Sequence, residues 1–194
     1  MGSAGLAEAL GDMPFVRHLS LSGSRIQPSG WSHICGAVAD HGLIQRLDLS
    51  DTQLGAGTQR GCIAVAGLVG RTQIREVYLG WNLFGAEGCA AMKEALVETP
   101  NLRILDFSYN GGSCMPLPGQ DAPAQIPPVV LVAEGLKENT TLQRVHLSGP
   151  TVDYSVGLVL EQALGAHEFL ERLVLEETAL GPAGVRCLLR LVCS

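Results

Sequence analysis

The chain carries six cysteines (Cys35, Cys62, Cys89, Cys114, Cys187, Cys193) and five histidines (His18, His33, His41, His146, His167). No two cysteines form a C-x-x-C pair, and the histidines are scattered. A shared metal site, which needs several ligands converging on one ion, is therefore not expected. The sequence has no G-x-x-x-x-G-K-[ST], no G-x-S-x-G, no H-E-x-x-H and no kinase motif set, so neither a phosphate cradle nor a hydrolytic centre is predicted. This predicts a non-enzyme with no cofactor. The cysteines are expected to be small buried hydrophobes in a reducing compartment. What remains is the chemistry of recognition. Tyr78, Trp81 and Tyr109 are three of the nine aromatic residues; Arg75, Arg103 and Asp106 lie close to them in sequence, and Asp48 lies 30 residues before Tyr78. Tyr, Trp and Arg carry much of the binding energy at protein interfaces. They can do so here only if the fold brings them to one exposed face.

Composition narrows the elements available to position them. The 194 residues are 46% hydrophobic and 16% charged, which predicts a folded chain. The net charge of -6 argues against a nucleic-acid partner. No apolar run reaches the roughly 18 residues of a membrane span. The first residues, MGSAGLAEALGDMPF, lack the basic and long apolar segments of a secretory signal. The expectation is an intracellular protein, in the cytoplasm or in a cytoskeletal or organellar complex. Asn139-Thr140-Thr141 matches a glycosylation sequon that only a secreted chain would use.

The positioning elements repeat. The pattern L-x-x-L-x-L-x-x-N-x-L, with degenerate positions, recurs six times, beginning at Val16, Ile44, Ile74, Leu102, Leu142 and Leu170. The third copy is the most complete, with Ile74, Val77, Leu79, Asn82 and Phe84 on its fixed positions. In the fourth, Gly112 stands where the last apolar residue belongs. Successive starts are 28, 30, 28, 40 and 28 residues apart. Between copies, pairs such as Ile34/Val38, Met92/Leu96 and Val132/Leu136 have the i, i+4 spacing of one helix face. A small residue precedes the second member each time (Ala9, Ala37, Gly67, Ala95, Gly135, Ala163), which predicts close packing of each helix on its neighbour.

The chain resembles a leucine-rich repeat protein of the ribonuclease-inhibitor-like subtype, over nearly its whole length. The resemblance implies an α/β fold: a curved solenoid of about six repeats, with parallel strands on the concave face and helices on the convex face. It predicts one domain over 1–194, with a half-repeat helix at 4–12, strands near 16–22, 44–50, 74–80, 102–108, 142–148 and 170–176, and a loop insertion at 111–128. It also implies that the pattern's asparagine caps backbone groups in the turn after the strand. That residue survives only as Asn82 and Asn110; Ser24, Thr52, Pro150 and Thr178 replace it elsewhere. In function, the resemblance implies a non-catalytic protein-protein interaction scaffold. The alternative is an activating regulator of a small GTPase, since the Ran GTPase-activating proteins share this repeat type. Those proteins carry an acidic tail after the repeats, whereas this chain ends in the apolar segment CLLRLVCS.

The repeat register yields a map of the outward positions. One arginine per repeat (Arg17, Arg46, Arg75, Arg103, Arg144, Arg172) forms a row, accompanied by Asp48, Asp51, Asp106, Glu176 and Glu177. The row is either a ladder of solvated ion pairs, each worth roughly 0–1 kcal/mol, or a site for an acidic partner segment. Tyr78, Trp81 and Tyr109 are expected on exposed strand positions, either as an interface or as aromatics shielding the strand backbone. The predicted partner-binding set is therefore Tyr78, Trp81, Tyr109, Arg75, Arg103, Asp48 and Asp106. The Pro- and Gly-rich stretch 111–128, which includes Met115, Leu117 and Ile126, is either part of the binding face or a tolerated insertion. Neither end has an obvious polar cap, so a continuing solenoid or a covering partner is expected there, within a larger assembly.

Overall fold

The computed structural model describes residues 3–111, 127–165 and 167–193. Most of the segment 111–128, with Gly112, Cys114, Met115, Leu117 and Ile126, lies outside the described residues, as do the side chains of Val192 and Cys193. Helices and strands alternate strictly: α1 Ser3–Gly11, β1 His18–Ser20, α2 Gly30–His41, β2 Arg46–Asp48, α3 Arg60–Arg71, β3 Glu76–Tyr78, α4 Ala86–Glu98, β4 Ile104–Asp106, α5 Val129–Leu136, β5 Arg144–His146, α6 Tyr154–Leu164, β6 Arg172–Val174 and α7 Gly181–Cys193. The six strands form one sheet in chain order, parallel throughout. This is a curved α/β leucine-rich repeat solenoid, with a strand layer and a helix layer enclosing a continuous apolar seam.

The strands are short because each contributes one inward residue between two outward ones. The inward column is Leu19, Leu47, Val77, Leu105, Val145 and Leu173, paired in register. Leu49, Leu79, Phe107 and Leu147 follow two residues later and are also buried. Phe84 and Phe107 meet edge-on, with ring centres 4.7 Å apart. Burial is complete in the middle repeats and partial at the ends, where Leu19, Leu21, Leu173 and Leu175 are only half-buried. Such a gradient is what a one-dimensional stack produces, because an end repeat has one neighbour instead of two.

The helices keep their spacing through small residues, but not at every expected position. A Cβ at Gly135 would come within 3.1 Å of the Lys93 backbone, so α5 approaches α4 closely enough that a larger residue would push them apart by a few tenths of an ångström. Ala95 lies against Gly70 between α4 and α3. Gly67, by contrast, is exposed with nothing near its missing Cβ. The close packing expected there has shifted one turn along α3, to Gly70.

Side-chain amides tie the turns together. Asn82 is fully buried; its Oδ1 accepts from Thr52 N at 3.0 Å, Thr52 Oγ1 at 2.9 Å and Leu54 N at 3.3 Å. Its Nδ2 donates to the carbonyls of Leu49 at 2.6 Å, Leu79 at 3.0 Å and Gly80 at 3.3 Å. Asn110 repeats the arrangement one unit on, accepting from Asn82 N and Phe84 N and donating to Leu79, Phe107 and Ser108 carbonyls. Where the asparagine is missing, serines bridge instead: Ser108 Oγ accepts from Ser148 N at 3.2 Å, and Ser148 Oγ accepts from Glu176 N at 3.0 Å. Asn139, the sequon residue, is buried; it donates to Leu96 O at 2.6 Å and accepts from Leu142 N at 2.8 Å. Its amide organises the entry to β5.

Cys35, Cys62 and Cys89 are buried on α2, α3 and α4, and burial pushes each thiol up to about 12. Only the thiolate is nucleophilic. At pH 8 these three are expected to alkylate with iodoacetamide about a hundredfold or more slower in the folded chain than in urea. Peptide mass spectrometry after timed labelling measures this, and equal rates would contradict the burial.

Candidate binding face

Outward residues on a strand fall two apart, and the register assigns them to columns. The first column is His18, Arg46, Glu76, Ile104, Arg144 and Arg172; the second is Ser20, Asp48, Tyr78, Asp106, His146 and Val174. The arginine row therefore divides. Arg46, Arg144 and Arg172 share the first column, while Arg17, Arg75 and Arg103 sit one residue earlier, before their strands begin. Residues one apart point to different sides of an extended chain, so the six do not form one line. Arg103 turns its guanidinium to the Thr141 carbonyl at 3.0 Å.

The acids are also placed by local bonding. Asp48 and Asp106 each accept from the backbone N–H two residues on, Ser50 and Ser108, at 3.0 Å. They flank Tyr78 in the second column. Among the described residues, the ion pair on this face joins Arg46 to Glu76 at 3.4 Å. The Arg46 guanidinium also lies over the Tyr78 ring, 4.6 Å from its centre, and the Tyr78 hydroxyl donates to Glu76 at 3.2 Å. Partial burial, then the Glu76 charge, raise the Tyr78 phenol above its ordinary value. Glu76 was not among the residues singled out from sequence. Strict alternation along the strand is the signal that finds it.

Immediately after the strands comes a third column: Gly23, Asp51, Trp81, Tyr109, Gly149 and Glu177. Each of its first five members donates its N–H across to the next repeat: Gly23 to Ser50 O, Asp51 to Gly80 O, Trp81 to Ser108 O, Tyr109 to Ser148 O and Gly149 to Glu176 O, at 2.7–3.0 Å. All six residues have positive φ, from 52° at Asp51 to 120° at Gly149. Four of them are not glycine, and each bears a cost of roughly 1–2 kcal/mol for that conformation.

The two aromatics in this column touch. The Trp81 and Tyr109 rings stack 4.0 Å apart and 11° from parallel. Trp81 is nonetheless 58% exposed, and Leu83 beside it is exposed as well. Tyr109 lies across Gly149, where a Cβ would come within 3.2 Å of Tyr109 Cα and Cδ1. Hydrogen bonding to the Glu177 carboxylate raises the Tyr109 phenol. The structure thus brings Trp81 and Tyr109 together, places Tyr78 in a separate cluster with Arg46 and Glu76, and leaves Arg75 and Arg103 on the strand-entry side. Among the described residues no group of three His, Cys, Asp or Glu side chains is arranged to hold a metal ion, and no helix is long and apolar enough to cross a membrane.

A parallel one-strand, one-helix repeat with an asparagine ladder behind its sheet defines the leucine-rich repeat fold, and the chain has that fold. No protein-family model and no curated protein matches it in sequence. Solved structures do match in shape. A structure of leiomodin-1 actin-binding site 2 superposes with a TM-score of 0.58 at 18% identity, covering 81% of this chain and 87% of that one. The C-terminal domain of tropomodulin from Caenorhabditis elegans gives 0.57 at 15% identity, covering 84% and 93%. The leucine-rich repeat-containing protein LegL7 of Legionella pneumophila gives 0.52 at 16% identity, covering 99% of this chain and 58% of LegL7.

Proposed function

We propose that the chain is a non-catalytic protein-binding scaffold, part of a larger intracellular assembly, that docks a protein partner on its strand face. The Trp81–Tyr109 stack carries this reading. Two large aromatics stand side by side, Trp81 58% exposed and Tyr109 half-buried, on backbone that favours glycine, so the fold is less stable for having them there. A partner that buries them recovers more than that cost, since exposed Trp and Tyr are the side chains most often found as interface anchors. Tyr78, with Arg46 and Glu76, extends the same surface toward the strand-entry side. Leu189, Val185 and Phe169 add exposed apolar area at the C-terminal end of the stack, which suits a further contact within an assembly.

The test uses Trp81→Gly. Losing the stack costs about 0.5–1.5 kcal/mol, while relief of the left-handed strain returns about as much, so stability should change by less than about 1 kcal/mol. Binding should weaken by about 2 kcal/mol or more, roughly thirtyfold. Immobilised wild-type and Trp81→Gly chains are compared for proteins captured from the native source. Actin filaments serve as a first defined probe, because one solved structure of similar shape is an actin-binding site of leiomodin-1. Proteins held by the wild type and lost by the variant support the proposal. Identical capture by the two moves the site off this face.

A further inference from the structure

The aromatic stack leaves one ring face of Trp81 uncovered. Tyr109 covers the side toward the fourth repeat. On the other side the next member of the column is Asp51, one strand spacing away, about 4.8 Å at the backbone. Asp51 N donates to Gly80 O at 2.8 Å, which fixes this neighbour relation. Asp51 and Trp81 have nearly the same backbone conformation, φ 52° and 61°, so their side chains leave the sheet in the same direction. An aspartate side chain is much shorter than a tryptophan. Its carboxylate therefore lies near the base of the indole and leaves the outer ring face open.

The charges of the neighbours are already committed. Asp48 is held by Ser50 N, and Arg46 is paired with Glu76 and lies over Tyr78. The Asp51 carboxylate is exposed and, among the described residues, has neither a hydrogen bond nor a cation. An unpaired carboxylate beside a free indole face suits a flat cation: the plane stacks on the ring and the N–H edge meets the carboxylate. Guanidinium has that shape and an ammonium does not. We propose that the docked partner inserts an arginine side chain against the free face of Trp81 and pairs it with Asp51. This rests on the strand face being the docking surface, and it goes further in naming the chemistry of the partner's contact.

The probe is N-acetyl-arginine amide, with N-acetyl-leucine amide as the apolar control. Binding is followed at the Trp81 indole N–H by NMR, with the buried Trp31 indole as internal reference. The variant is Asp51→Asn, which removes the charge while asparagine tolerates the left-handed backbone. Wild type should show a saturable shift at Trp81 with the arginine amide, weakened about fivefold or more in Asp51→Asn and by 0.5 M salt. Equal affinity in Asp51→Asn, a stronger response to the leucine amide, or no response at Trp81 overturns the inference. A partner captured in the preceding experiment separates the two proposals. Loss with Trp81→Gly but full binding by Asp51→Asn refutes the arginine contact and keeps the docking face. Full binding by both variants refutes both.

Discussion

Replacing Asn82 by alanine is expected to destabilise the chain by roughly 3–5 kcal/mol. The side chain makes six hydrogen bonds to two successive repeats and is entirely buried. Alanine leaves the N–H groups of Thr52 and Leu54 without their acceptor. Buried polar groups without partners cost about 1–3 kcal/mol each. Asn82→Asp discriminates between lost shape and lost donors. It keeps the acceptor oxygen but turns a carboxylate oxygen toward three carbonyls. Its folded-state pKa must therefore rise above the unfolded value. The variant is then closest to wild type below the unfolded pKa and loses stability as pH rises through the folded one. Urea denaturation of the two variants at pH 4 and pH 7 measures this. A loss under 1 kcal/mol in Asn82→Ala would show that the turns hold themselves.

The second large effect is Leu105→Ala, in the middle of the stack. Leu105 is fully buried, with the inward residues of β3 and β5 on either side. A cost of 2–5 kcal/mol is the usual range for such a truncation. Leu173, its counterpart in β6, is only half-buried, so Leu173→Ala should cost about 1–2 kcal/mol. Position in the stack also decides how the loss is spread. Repeats interact with nearest neighbours, so weakening the fourth can uncouple the first three from the last two. Trp31, buried on α2, lies on the N-terminal side of β4, whereas Trp81 stacks on Tyr109 of the fourth repeat. In a Trp81→Gly background, Leu105→Ala should give a later urea midpoint by Trp31 fluorescence than by far-ultraviolet circular dichroism, whereas in Leu173→Ala the two probes should nearly coincide. Coincident midpoints in Leu105→Ala would mean that the stack unfolds as one unit.

The repeat architecture was legible because its period acts many times over. Each inward position must be apolar for every unit to close, so Leu47, Val77, Leu105 and Val145 announce themselves by spacing alone. The asparagine ladder was legible in part. Asn82 and Asn110 stand at the pattern position, but Ser108 and Ser148 do their bridging two residues earlier, where serine looks like an ordinary exposed residue. The face itself was harder. The aromatic trio was visible from composition and register. That two of its members stack on left-handed backbone was not, because Asp, Trp, Tyr and Glu give no local signal for a conformation usually marked by glycine. The arginine row failed as a single line because a spacing that varies by one residue changes which side of the chain is presented. The part Glu76 plays depends on Arg46 in the adjacent repeat and on Tyr78, so its own residue type gives no signal of it.

The left-handed column has a consequence for how such a surface changes over time. Its backbone is fixed by main-chain bonds that run from each repeat to the next, so the conformation does not depend on which side chain is attached. Gly23, Asp51, Trp81, Tyr109, Gly149 and Glu177 occupy equivalent backbone positions while sharing almost no chemistry. All but Gly149, where a side chain would press on Tyr109, are letters that can be rewritten for about 1–2 kcal/mol without disturbing the apolar seam behind them. Five such letters make a short, editable word: mutation can search for new partners there while the architecture is inherited unchanged.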